Sequence, residues 1–296
     1  MAAKSASGGV LRTYLEMIKF EHSIFALPFA LIGMMWGSLS YSGSAWPGSR
    51  VFVLIVLAMI SCRSAAMAFN RIADRHIDAQ NPRTSMRALP AGLLQLRQAN
   101  LFLVLSGLIF FAAAWALNPL AGMLSPVALG VTLLYSLTKR FTPLCHLVLG
   151  LSLAIAPAAA WIGVTGSLHP AILPLVLAVT CWTAGFDVIY SLQDEEFDRE
   201  NRLHSLPQWL GKARALGVSR VLHTIAAGSL VWAGISAGAG AMYFVGAAVA
   251  TGLLIYEQSL VRPNDLSRVN LAFFTLNGFV SIGLFIFTLV DSWVAA

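Results

Sequence analysis

Apolar runs of about 20 residues, parted by short polar breaks, recur from residue 22 to residue 290. About 20 apolar residues carry a helix across the ~30 Å hydrocarbon layer. The pattern predicts nine such spans, near 22–41, 51–72, 97–117, 119–137, 143–163, 169–191, 214–236, 239–260 and 268–290. Only helices and closed barrels satisfy their backbone groups in lipid. Barrel strands alternate polar and apolar positions over about ten residues, which these uninterrupted runs exclude. The expectation is an all-α polytopic membrane protein with one domain over 1–296. The first run lacks a small-residue cleavage site and reads as a retained span rather than a signal peptide.

Charge refines this map. The chain is 58% hydrophobic and only 11% charged, so each charge needs a reason. The amino-terminal tail, the 73–96 loop, the 138–142 turn, the 192–213 loop and the 261–267 turn hold nearly all 19 basic residues. Only Arg50 lies in a connection on the opposite side. The positive-inside rule then places the amino terminus and both long loops in the cytoplasm, with the carboxyl terminus outside. The net charge of +6 follows from topology and makes no case for a nucleic-acid partner. Cys62, Cys145 and Cys181 are isolated, without a CxxC, and read as small core residues.

The scarce acids are the informative residues. Of 13, eight (Asp74, Asp78, Asp187, Asp194, Glu195, Glu196, Asp198, Glu200) sit in two short segments at the rims of the second and sixth spans. At about 100° per residue, Arg63, Asn70, Asp74 and Asp78 share one helix face, and Asn70 to Asp78 rises about 12 Å. Asp187, Asp194 and Asp198 are expected to form a matching stripe on the sixth span. Carboxylates at the mouth of an apolar cavity suit Mg²⁺, which takes one or two of them plus phosphate oxygens and water. The alternative is a solvated helix end whose acids pair with nearby arginines. Duplication of the four-residue step in an acid-poor membrane chain favours metal and diphosphate.

Basic groups accompany both clusters. Arg75, Arg83 and Arg87 follow the first, Arg199 and Arg202 the second, and Tyr135 and Lys139 share a face at a helix end. Lys and Arg hold phosphate, whereas Arg97, Lys212, Arg214, Arg262 and Arg268 read as snorkelling anchors. Arg63 and Asp187 lie about 10 Å deeper than Asn70 and Asp194. Either they pair with each other across two helices, or Arg63 receives the carboxylate of an acceptor. Lys19 and His22 share a face at the entry of the first span, where alone they read as polar anchors. The two long loops also resemble each other. Asp74-x3-Asp78 runs on to Leu89-Pro90 and Gly92, as Asp194-x3-Asp198 runs on to Leu206-Pro207 and Gly211. Two pseudo-repeated halves follow, about 14–142 and 143–291. A cation-coupled transporter would also show repeats, but its site would sit near the bilayer midplane, and these acids crowd one rim.

Asn70-x3-Asp74-x3-Asp78, Tyr135-x3-Lys139 and Asp194-x3-Asp198, with the nine-span layout, resemble the UbiA superfamily of intramembrane aromatic prenyltransferases over nearly the whole chain. IKFEHSIFALPFAL, NRIADRHIDAQNPRT and DVIYSLQDEEFDRENRLHSLP are similar to the bacterial 4-hydroxybenzoate polyprenyltransferase group, which includes members of the futalosine route to menaquinone. The resemblance implies a helical ring in the bacterial inner membrane, around a central cavity open sideways to lipid. It implies Mg²⁺-dependent transfer of a polyprenyl group from its diphosphate to a carbon of 4-hydroxybenzoate in quinone synthesis, or of a dihydroxynaphthoate in menaquinone synthesis. Mg²⁺ would sit at Asn70, Asp74, Asp78, Asp194 and Asp198, with Arg75, Tyr135 and Lys139 on the diphosphate. Asp74, Asp194, Asp198 and Lys139 would carry the chemistry. Lys19, His22, Arg63, Arg83, Arg87, Asp187 and Tyr190 become substrate-binding candidates. The allylic cation needs a dry cavity and aromatic faces, for which Phe25, Phe69, Trp182 and Tyr190 are candidates. A carboxylate of the second cluster, or diphosphate, would accept the ring proton.

Overall fold

Helices are the regular elements of the computed structural model, which describes residues 10–18 and 25–294. Lys19 and His22 lie outside the described residues. A short helix, α1 (Val10–Met17), precedes α2 (Leu27–Ser42), α3 (Ser49–Gln80), α4 (Leu96–Leu117), α5 (Pro119–Thr138), α6 (Cys145–Thr165) and α7 (Leu173–Ser191). Two short helices, α8 (Glu195–Glu200) and α9 (Leu206–Leu210), cross the second long loop. Then come α10 (Lys212–Ala237), α11 (Ala241–Leu260) and α12 (Asn277–Val294), the last entered through a π-helical turn, Leu271–Leu276. Among the described residues seven helices are long and apolar enough to cross a membrane: α3, α4, α5, α6, α7 with its flanking turns, α10, and α12 with its π-helical entry. The chain is thus a multi-pass membrane protein. The 16 residues of α2 fall short of the ~20 that cross the hydrocarbon layer unaided.

Helix ends decide where the polar residues go. The second predicted span stops at 72, yet α3 continues to Gln80 because no breaker intervenes before Asn81-Pro82. Asn70, Asp74 and Asp78 therefore ride on the last turns of one rigid helix. The sixth span behaves differently. It ends at Ser191, passes through a 3₁₀ turn at Leu192–Asp194 and restarts as α8. The continuous stripe expected for Asp187, Asp194 and Asp198 is thus broken, and the tighter turn rotates Asp198 away from it. At α5, Asn118 Oδ1 accepts from Ala121 N–H at 2.9 Å, with Pro119 in the first helical position. Asn118 Nδ2 also donates to the Ile162 and Gly163 carbonyls at 2.8 and 3.1 Å, fastening α5 to the end of α6.

Without a hydrophobic driving force in lipid, helices associate through small residues that permit close approach. A Cβ on Gly33 of α2 would come within 2.2 Å of the Pro157 carbonyl oxygen, and one on Gly150 of α6 within 2.2 Å of that of Thr180. Gly185 of α7 likewise leaves room for the His223 ring of α10. α7 is consequently clasped between α6 and α10 and is the most enclosed of the candidate spans. Neighbours in sequence pack in order, and α12 returns to touch α2. A cavity of about 590 Å³ opens among α2–α7, and Phe273 of the π turn reaches it from the carboxyl-terminal helices.

Candidate active site

The end of α3, the 81–94 loop, the carboxyl end of α5 and the α7–α8 break surround a polar cup of about 230 Å³. Three acids in its walls, and Asp198 behind them, each meet a base. Arg140 Nη2 donates to Asp74 Oδ1 at 3.0 Å and to the Ala73 carbonyl at 2.7 Å. Arg87 reaches Asp78 Oδ1 at 2.7 Å. Arg83 grips both oxygens of Asp194, at 3.1 and 2.6 Å, and donates to the Tyr190 hydroxyl at 2.7 Å. Lys139 Nζ lies 2.7 Å from Asp198 Oδ1. Such two-pronged and charge-assisted contacts are the strong class of hydrogen bond. The Asp78 Oδ2 atom is buried without a hydrogen-bond partner.

Asn70 connects these pairs to the interior. Its Nδ2 donates to Asp74 Oδ2 at 3.0 Å, and its Oδ1 accepts from Arg71 at 3.1 Å, while Arg71 Nε holds the Met17 carbonyl of α1 at 3.2 Å. Burial alone would lower the Lys139 ammonium, but the Asp198 carboxylate overrides it and holds the pKa above the ordinary lysine value. The cup therefore keeps a cation beside its acids at any physiological pH.

Cup and cavity meet through shared walls: Asn70, Tyr135, Asp187 and Tyr190 line both. Arg63 projects into the apolar side, its Nε buried without a hydrogen-bond partner. The ion pair between Arg63 and Asp187 is not formed. Asp187 Oδ2 instead lies 2.7 Å from His146 Nδ1, and His146 Nε2 accepts from the Leu206 amide at 3.2 Å. That acceptor role fixes the tautomer, so Nδ1 carries the proton and donates to Asp187. Two more expectations change. Arg75 turns back onto the Ile72 carbonyl at 2.9 Å and does not line the cup, because its position on α3 faces away from the acids. Asp198 is fully buried behind the wall, where Ser205 Oγ donates to its second oxygen at 2.8 Å.

Of the aromatic candidates, Phe25 and Tyr190 line the cavity, whereas Trp182 stands behind them and Phe69 is not among its walls. Phe186 and Phe273 join the lining unannounced by the sequence reading. So do Arg71, Arg140 and His146 in the cup. Arg140 directly follows Lys139 and was open to notice; nothing in the pattern around His146 signals its partnership across the fold.

Residues 27–282 match the model of the UbiA prenyltransferase family. A 4-hydroxybenzoate octaprenyltransferase of Vibrio cholerae is 31% identical over 284 residues, covering 95% of this chain and 98% of that protein. The apo structure of a UbiA homolog from Aeropyrum pernix K1 superposes with a TM-score of 0.83 at 35% identity, over 92% of this chain and 98% of that one. A UbiA homolog from Archaeoglobus fulgidus bound to GPP and Mg²⁺ shares the fold at a TM-score of 0.71 and 20% identity, over 95% and 99% of the two chains. The chain belongs to the UbiA prenyltransferase family and is an aromatic prenyltransferase.

Proposed function

We propose that this enzyme transfers a polyprenyl group from polyprenyl diphosphate to a ring carbon of 4-hydroxybenzoate with the aid of Mg²⁺. The observation that carries the proposal is a cup of matched acids and bases opening directly into an apolar cavity. The name of the Vibrio cholerae relative supports the acceptor, and the GPP and Mg²⁺ of the Archaeoglobus fulgidus protein support the donor and the ion.

The donor set suits the ion. Asn70, Asp74, Asp78 and Asp194 offer hard oxygens in the cup, where Asp78 has one unclaimed, while Asp198 lies behind its wall. Among the described residues no three His, Cys, Asp or Glu side chains gather closely enough to cage a metal by themselves. That spacing agrees with Mg²⁺ held by a few carboxylates while phosphate and water complete its shell. When bound there, the ion would stabilise the charge developing on the departing diphosphate.

Protein groups do the rest. Arg83, Arg87, Lys139 and Arg140 now rest on carboxylates, and these bases would exchange them for phosphate oxygens. Tyr135 and Tyr190 sit where cup becomes cavity, beside the C–O bond to be broken. Arg63 would take the acceptor's carboxylate and so turn its ring toward the cup. Walls of Phe25, Phe186 and Phe273 exclude water from the cation and offer it π faces. The electron-rich carbon beside the acceptor hydroxyl attacks, and loss of its proton restores aromaticity.

We read the chain as one domain of two related halves, about 14–142 and 143–291, crossing a bacterial inner membrane nine times once α2 and α11 are included. The one-sided basic residues support a cytoplasmic cup. Purified protein offered Mg²⁺, prenyl diphosphates of several lengths, 4-hydroxybenzoate and a dihydroxynaphthoate tests the reading by mass spectrometry. A C-prenylated benzoate is expected. Prenylation of the naphthoate alone would move the enzyme to menaquinone synthesis, and a chain that makes no product from both substrates would sink the proposal.

A further inference from the structure

A second polar cluster lies away from the cup, where α7, α11 and the start of α12 meet. Asn277, the first residue of α12, and Glu257 of α11 are both fully buried. Asn277 Oδ1 accepts from Trp182 Nε1 of α7 at 2.6 Å. Its Nδ2 lies 3.1 Å from Glu257 Oε1, 3.0 Å from the Ala272 carbonyl and 3.1 Å from the Phe273 carbonyl. Those two carbonyls belong to the π turn, whose wider winding shifts the backbone ladder by one residue. The Asn277 amide donates to both carbonyls and so fastens the turn.

That turn faces the cavity. Phe273 lines it and packs on Tyr190 with ring centroids 4.2 Å apart and planes 31° apart. Tyr190 in turn accepts from Arg83, which holds Asp194. Phe273 also meets Phe186 edge-on at 5.4 Å, and Trp182 meets Phe186 at 5.0 Å. One amide thus reaches both the π turn and the indole behind the same aromatic wall.

We propose that Asn277 is a positioning residue, holding Phe273 against Tyr190 as the wall between cup and chamber. Through that wall it sets whether the allylic cation meets the aromatic acceptor or water. The inference rests on the prenyl-transfer reading above. C–O cleavage sends its electron pair to the diphosphate. In the productive branch a ring carbon supplies the new pair and a ring proton leaves. In the wasteful branch a water oxygen supplies it and loses a proton, giving prenyl alcohol. Each branch releases one diphosphate, so a merely weakened fold lowers both together. A displaced wall changes their ratio.

The test uses the full chain in phospholipid nanodiscs with Mg²⁺, labelled polyprenyl diphosphate and 4-hydroxybenzoate, scoring prenyl alcohol against prenylated acid. Asn277→Ala is expected to raise the alcohol-to-acid ratio about tenfold by admitting water. Asn277→Asp keeps the oxygen for Trp182 but loses the amide donors, and the ratio should rise with it too. Phe273→Leu should raise it with Asn277 intact, and the double variant should go no further than either single change, because both act through one wall. An unmoved ratio in the Asn277 variants, or in Phe273→Leu, with an active wild type overturns the positioning role alone. A wild type that releases no diphosphate from this mixture overturns the prenyl-transfer reading and this proposal with it.

Discussion

Lys139 and Asp198 show how much one ion pair decides at the residue scale. The acid is wholly enclosed and holds the base at 2.7 Å on the edge of the cup. Asp198→Asn keeps the shape and the Ser205 bond but removes the charge. It should lower turnover about 100-fold, the scale of losing one preorganised charge from a transition state, while membrane abundance measured by immunoblot stays near wild type. Equal losses in both would make Asp198 a folding residue. Arg63 is the complementary case, with Nε unpartnered in an apolar cavity. Arg63→Leu should raise the KM for 4-hydroxybenzoate about tenfold or more, the loss of a charge-assisted bond, and leave that for prenyl diphosphate unchanged in steady-state assays. A rise in both would remove Arg63 from acceptor recognition.

At the scale of elements, contrast between α3 and α7 explains the asymmetry of the two acidic clusters. α3 has no breaker before Asn81-Pro82, so its acids stay in one row. α7 tightens into a 3₁₀ turn, and Asp198 beyond it moves behind the wall. The positions of Asn70, Asp74 and Asp78 were legible because helical spacing alone puts them together. Neither the break at Leu192 nor the His146–Asp187 contact was legible, since both depend on packing between α6, α7 and the loop leading into α9. Helix contacts carry their own prediction. Gly150→Val places a branched side chain where even a Cβ meets the Thr180 carbonyl oxygen at 2.2 Å. It should destabilise the protein by ~1–3 kcal/mol or more, as overpacking does. Gly217→Ala, with open space around it, serves as the control in a detergent melting experiment. Equal melting temperatures would refute the close α6–α7 approach.

Across the whole molecule, the four acid–base pairs make the cup nearly neutral before any ligand enters. Chelation should therefore abolish turnover without unfolding the chain. Far-UV circular dichroism should stay constant through EDTA treatment, and added Mg²⁺ should restore activity. Loss of helical signal with EDTA would instead assign the ion to the fold. Topology is checked in the same way at large scale. Cysteines placed at Arg50 and at Ser85 should react with an impermeant maleimide from opposite faces of sealed vesicles. Labelling from one face would overturn the proposed orientation.

Sequence alone determined that the chain is helical and membrane-borne, and it grouped Asn70, Asp74, Asp78 and Asp194, which line one cup. These follow from hydropathy and helical periodicity, which are local properties of neighbouring residues. Tertiary structure decided which base meets which acid, that Asp187 belongs to His146 and not Arg63, and that Asn277 of α12 meets Trp182 of α7. Such pairings join residues far apart in the chain, and only the way small residues let helices approach selects among them.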